Sequence, residues 1–168
     1  PQYLDQISLV KKISKLLPSG YNLVVKEHPA GIGAYNFNYI KDLSLNNIKI
    51  LHPQINSHLI TENSVAVITI NSKVGAEALA KGKKVIVLGN SFYSKSNLVS
   101  YVESLSQLKD LMIDLEKEDK DNKWDDILLF FNNLWMHTFS GELYLLDNNN
   151  IIKFSNSINE YLNDNSYK

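Results

Sequence analysis

The sequence predicts an α/β fold: a Rossmann-like parallel sheet flanked by helices. Three observations lead there. Short apolar runs rich in β-branched residues recur at 21–26, 48–51, 65–70 and 84–89, as in strands buried on both faces. Helix-patterned stretches lie between most of them, so parallel crossovers are expected rather than hairpins. Breakers stand where the period changes, among them Pro18-Ser19-Gly20, His52-Pro53, Asn71-Ser72 and Gly82.

Taken in order, Leu4, Ile7, Val10, Ile13, Leu16 and Leu17 form one helical face, which Pro18-Ser19-Gly20 ends. The first strand follows at 21–26. A glycine-bearing loop at 30–33 leads to a short helix over 35–43, a second strand at 48–51 and a helix over 56–61. Val65 to Ile70 is the third strand. Ser72 is an N-cap candidate for a helix over 74–81, with Gly82 placed to end it. Lys84 to Leu88 is the fourth strand, and 105–115 a helix. Residues 116–123 form a charged connection. A long amphipathic, aromatic-rich helix is expected over 124–139, then an extended segment at 141–147, a polar turn at 147–150 and a last helix over 151–162. The polar tail beyond Leu162 should fray.

Composition narrows the function. With 168 residues, 44% hydrophobic, the chain can bury a real core as one domain over 1–168 with a helical part at 104–164. A net charge of −1 gives no broad basic field, so no nucleic-acid partner is expected. There is no cysteine, hence no disulfide framework and no thiolate metal site, which suits a reducing cytoplasm. No metal-ligand spacing, GxGxxG or GxxxxGK[ST] occurs, so neither a metal, an NAD site nor a P-loop is expected. No apolar run reaches the ~18–20 residues that span a bilayer. The chain opens on Pro1 and a helical pattern starts almost at once, so it reads as part of a larger protein.

The chemistry concentrates at strand ends. Open α/β sheets bind ligands along the carboxyl edge of their strands. A helix that starts there aims free N–H groups outward and favours phosphate. Ser72, with Asn71 before it and Lys73 after it, stands at such a point. His28 follows the first strand in Lys26-Glu27-His28-Pro29 and can donate to a phosphate or protonate a leaving group. Pro29 would fix the turn that aims it. Each has a plainer reading, Ser72 as an ordinary cap and His28 as a loop hydrogen-bonding group. Glu77 reads equally as a solvent-facing helix residue, and Gly75 allows close approach of a ligand or a strand. His52, Asn90, Ser91 and Tyr93 are further strand-end candidates, whereas His58 and His137 read as helix-face residues.

Lys26-Glu27-His28-Pro29, followed about forty residues later by the INSxxGxEAxxxGKxVIxLGxxFY pattern at 70–93, resembles the bacterial capsule polysaccharide biosynthesis proteins, and among them the Kdo-transferase-like members. The resemblance covers roughly residues 3–105. It implies the C-terminal, nucleotide-binding half of a two-domain GT-B glycosyltransferase, holding a CMP-activated sugar such as CMP-Kdo. By the same resemblance His28-Pro29 meets the CMP phosphate, Glu77 holds the ribose hydroxyls, and Phe92-Tyr93 matches an aromatic pair at the donor pocket. The acceptor, a glycolipid or polysaccharide, would be met by a domain N-terminal to this chain, and these 168 residues alone are expected to be inactive in transfer. The full protein would be cytoplasmic, with peripheral attachment to the inner membrane compatible with that reading. In that reading the aromatic helix over 124–139 covers part of the interface with the other domain, through Trp124, Phe131 and Trp135. Two alternatives stand beside it: a UDP-sugar-binding GT-B relative such as a nucleotide-sugar 2-epimerase, and a non-catalytic α/β module that docks a partner through the same helix.

Overall fold

The computed structural model describes residues 5–28, 31–33, 41, 43, 47–116 and 124–164. The chain divides into two compact units, Pro1–Ile127 and Leu128–Lys168. The first carries the predicted alternation: α1 (Gln6–Ser14), β1 (Leu23–Lys26), β2 (Ile48–Leu51), α2 (Ser57–Glu62), β3 (Ala66–Thr69), α3 (Lys73–Leu79), β4 (Lys84–Val87), β5 (Ser100–Tyr101) and α4 (Leu105–Ile113), followed by a 3-10 turn at Asp114–Glu116. The helix expected over 35–43 and the charged connection lie almost wholly outside the described residues.

Every strand pairing among the described residues is parallel. β1 pairs with β2, placing Leu23 opposite Ile48 and Lys26 opposite Leu51. β4 lies between β3 and β5, with Ala66 opposite Lys84 and Val87 opposite Tyr101. The two ladders share one core. Leu9 and Ile13 of α1 pack with Ile86, Leu88, Val102, Leu108, Met112 and Leu115, while Leu23 of one ladder and Ala66, Ile68 and Ile70 of the other lie against the same cluster. Each such side chain withdrawn from water contributes about 1.5–3 kcal/mol. The unit is a Rossmann-like α/β fold. β5 has no counterpart among the predicted strands. It is two residues long, and Val102 continues it by donating to the Val87 carbonyl at 2.9 Å.

Helix ends follow local chemistry. Asp5 caps α1, accepting from the Ser8 amide at 3.0 Å, and the bond from the Ser8 hydroxyl is the main reason its carboxyl titrates below the usual range. Gly82 ends α3 at φ +67°, and a Cβ there would stand 2.9 Å from the Trp124 ring. The lysine-rich run after it serves other helix ends. Lys83 Nζ donates to the Glu62 and Ser64 carbonyls at 2.7 and 3.0 Å, at the end of α2. Lys84 Nζ reaches the Asp114 and Leu115 carbonyls after α4. Both charges meet the negative end of a helix.

α5 (Trp124–Met136) starts in the first unit and runs into the second, ending three residues short of the expected Phe139. The second unit continues with α6 (Asn148–Asn163), which starts three residues before the expected Ile151. The expected polar turn is the helix's own first turn. Asp147 caps it by accepting from the Asn150 amide at 3.0 Å. Asn150 is a polar knot: its Nδ2 donates to the Glu142 and Leu145 carbonyls at 2.7 and 2.6 Å, and its Oδ1 accepts from the Glu142 amide at 2.8 Å. These bonds fold 141–147 into a loop with a turn at Leu143-Tyr144, where an extended segment was expected. Phe139 and Tyr161 meet edge to face at 5.9 Å.

Candidate functional site

The predicted site residues stand at the carboxyl ends of β1 and β3, which belong to separate ladders, and on α3. Lys26 is the half-buried last residue of β1, and His28 stands exposed two residues beyond it. The His28 carbonyl accepts from the Gly31 amide at 2.8 Å, which closes the turn after the strand. Pro29 lies outside the described residues. Between them, Glu27 buries its Oε1 with no protein hydrogen bond, an unusual state for a carboxylate oxygen. At the end of β2, His52 is exposed, and its Nδ1 accepts from the Gln54 amide at 3.3 Å, so a neutral ring carries its proton on Nε2.

The turn after β3 is held by hydrogen bonds on several sides. Asn71, Ser72 and Lys73 are exposed. Ser72 has the extended backbone of an N-cap (φ −75°, ψ 148°), and its Oγ accepts from the Val74 amide at 3.3 Å. Thr69 Oγ1 accepts from the Ser72 amide at 3.0 Å. The Ser72 carbonyl accepts from the Gly75 amide at 3.0 Å and from the Tyr93 hydroxyl. Tyr93 has no exposed surface, so it does not line a pocket rim and reaches the turn from beneath. Phe92 beside it is exposed and packs edge to face on the Tyr93 ring at 5.0 Å. Gly75 is buried and gives that ring its room. Gly89 does the same for β3, since a Cβ there would lie 2.9 Å from Ile70 Cγ2.

Glu77 is exposed on α3 and faces His58 of α2, with Oε2 and Nδ1 4.0 Å apart. This contact joins the helix that follows β2 to the helix that follows β3. Asn56 sets the start of α2 by accepting from the His58 amide at 2.8 Å. His58 lies on the exposed face of a helix, as the sequence predicts, but its pairing with Glu77 and the role of Thr69 were not foreseen. A signal for His58 was present in Asn56, a cap residue two positions ahead of it. Asn90 is exposed at the end of β4, and Ser91 beside it buries an unpartnered Oγ.

What the arrangement can do chemically is offer an exposed hydroxyl, a lysine and a carboxylate from one short helix and its cap, with imidazoles at the ends of β1 and β2 in the other ladder. That suits a polar, phosphorylated ligand. A separate apolar groove of about 260 Å³ lies within the second unit, lined by Leu143, Leu146, Ile151, Phe154 and Ile158 among others, and no candidate site residue borders it. No group of three or more His, Asp or Glu side chains among the described residues is arranged to hold a metal ion. No helix among them is long and apolar enough to cross a membrane.

Fold and site together define a Rossmann-like α/β protein with its polar residues gathered at strand ends. Residues 6–109, more than half of the chain, match the family model described as capsule polysaccharide biosynthesis protein, and the chain belongs to that family. A 52-residue stretch is 50% identical to Protein FixF of Sinorhizobium fredii (strain NBRC 101917 / NGR234), covering 31% of this chain and 13% of that protein. The chain therefore aligns with only a small part of that relative's length. No solved structure matches it.

Proposed function

We propose that this chain is the donor-binding half of a GT-B glycosyltransferase of surface polysaccharide synthesis, and that it holds a CMP-activated sugar such as CMP-Kdo. Membership of the capsule polysaccharide biosynthesis family supports the pathway. The observation that carries the binding reading is the Ser72 turn, whose amide and carbonyl are both held by side chains while its hydroxyl stays exposed at the end of a parallel strand. Fixed dipoles beside a site of charge need no reorganisation when the ligand arrives.

In this reading the Ser72 hydroxyl and the Lys73 amide receive the donor phosphate, with Asn71 and the Lys73 ammonium at its margin, while the Val74 amide stays capped by Ser72 Oγ. His28 donates to the same phosphate and, as the glycosidic bond to the nucleotide breaks, balances the charge on the departing CMP. Lys26 adds positive charge at the strand end, and Pro29 restricts the loop that carries His28. Glu77 takes the ribose hydroxyls, while Gly75, buried against the Tyr93 ring, serves the shape of the turn rather than the ligand directly. The acceptor is presented by another domain across the cleft, since transfer needs both substrates held in line. The full protein works in the cytoplasm or at the inner face of the membrane.

Titration of the chain with CMP, UDP and ADP, followed by amide shifts, tests this. Selective shifts for CMP at 27–28 and 71–75 are expected. Preference for UDP would move the assignment to a relative such as a nucleotide-sugar 2-epimerase. Equal or absent shifts for all three would favour a non-catalytic module.

A further inference from the structure

Tyr93 ends the FY pair of the loop after β4, yet its hydroxyl is committed inside the domain, to the Ser72 carbonyl. We propose that Tyr93 is a positioning residue for the Ser72 turn: from within the domain it fixes the shape in which that turn meets a phosphate, and Gly75 exists without a side chain so that the ring can reach it. The proposal rests on the nucleotide-binding reading of the strand ends and extends it to a residue that never touches the ligand.

Three observations combine. The ring has no exposure, so its place in the core is fixed by packing rather than by a ligand. A Cβ on Gly75 would lie 2.7 Å from Tyr93 Cζ and 2.9 Å from Thr69 Cγ2, so ring, glycine and threonine fill one slot directly under the turn. Thr69 Oγ1 holds the amide of Ser72 and Tyr93 holds its carbonyl, which fixes both peptide planes flanking the residue. The Ser72 hydroxyl is then the part of the residue left pointing outward. Tyr93 also ties together two strand ends. Its loop follows β4, the turn follows β3, and the neighbouring Ser91 and Ser96 hydroxyls are buried without hydrogen-bond partners.

Removing the hydroxyl is a clean perturbation. The Ser72 carbonyl keeps its bond from the Gly75 amide at 3.0 Å, so no acceptor is orphaned, and the phenyl ring of Tyr93→Phe still fills the slot. What is lost is restraint on the turn. The test compares wild type, Tyr93→Phe, Ser72→Ala and the double variant as full chains, by thermal unfolding, by amide exchange at 72–75 and by CMP affinity. Tyr93→Phe should melt close to wild type, exchange faster at 72–75 and bind CMP about fivefold more weakly, the scale of one neutral hydrogen bond. The double variant should lose less than the sum of the two single losses, because Tyr93 acts through the turn that carries Ser72. Thr69→Val, which frees the amide side of the same turn, should repeat the pattern. Unchanged exchange and unchanged CMP affinity in Tyr93→Phe, with Ser72→Ala impaired, would overturn the proposal and leave the site standing. Absence of CMP binding in wild type would instead remove the nucleotide reading, and the exchange comparison would still decide whether Tyr93 holds the turn.

Discussion

Gly75 and Tyr93 are shaped to one another: a Cβ on the glycine would stand 2.7 Å from Tyr93 Cζ. The two belong to different elements, 18 positions apart in the chain, and neither neighbour can yield easily. Thr69 closes the other side of the slot at 2.9 Å. Gly75→Ala should therefore destabilise the domain by about 1–3 kcal/mol, the usual cost of overpacking, even though alanine is the better helix former. Replacing Tyr93 by Leu in the same chain should return part of the loss. Denaturant unfolding of the single and double variants checks this. A neutral or stabilising Gly75→Ala would mean that the ring has somewhere else to go.

Ser72→Ala separates two functions of one hydroxyl. As a cap on the Val74 amide it should contribute about 1 kcal/mol of stability. As a donor to a charged phosphate it should add about 1.5–3 kcal/mol to nucleotide affinity. Calorimetry of CMP binding beside thermal unfolding resolves the pair. If stability falls and affinity holds, Ser72 is a cap and nothing more.

Much of this arrangement could be read in the sequence, and the misses have physical causes. β-branched runs such as Val65 to Ile70 declare strands because branched side chains favour the extended backbone, although the strand is only half-buried. Asn71-Ser72 declares the following helix because a cap must offer an oxygen to orphan amides. β5 escaped because a two-residue strand has no period to detect. The start of α6 escaped because Asn148, Asn149 and Asn150 look like a turn, and only the Asp147 cap and the bonds of Asn150 to Glu142 and Leu145 make them helical. The direction of Tyr93 escaped for a different reason. An aromatic residue at a strand end can face either way, and the deciding contact is a long-range slot at Gly75.

The Lys81–Glu62 pair gives a pH signature. Lys81 Nζ donates to Glu62 Oε1 at 2.6 Å, and this bond is the main reason the Glu62 carboxyl titrates below its ordinary 4.5. A folded-state value below the unfolded one stabilises the fold above the unfolded value, and that contribution is lost as pH falls through the folded value. Lys81→Met should move Glu62 back toward 4.5 and flatten the dependence of stability on pH below about pH 5. Both groups are solvent-accessible, so added salt should shrink the wild-type shift. Carboxyl titration by NMR reads both effects. An unmoved Glu62 in the variant would show that the pair does not form in solution.

His28 and Glu77 divide the proposed ligand between them, phosphate to one and ribose to the other, and this makes their variants distinguishable. Both side chains are exposed, so truncation creates no cavity, and His28→Ala and Glu77→Ala should each unfold close to wild type. Against CMP both should bind more weakly. Against cytidine, which has the ribose and lacks the phosphate, only Glu77→Ala should lose affinity. Against inorganic phosphate the order reverses, and only His28→Ala should lose it. Each loss should fall in the range of about 1.5–3 kcal/mol expected for a hydrogen bond involving a charged group. Glu77→Gln tests the chemistry further, because an amide oxygen can still accept from a hydroxyl and should restore part of the cytidine affinity. His58→Ala supplies the internal comparison. His58 Nδ1 stands 4.0 Å from the Glu77 carboxylate, so its removal should loosen ribose binding and leave phosphate binding as it was. Equal losses for all three ligands in every variant would mean that the residues support the loops rather than meet the nucleotide.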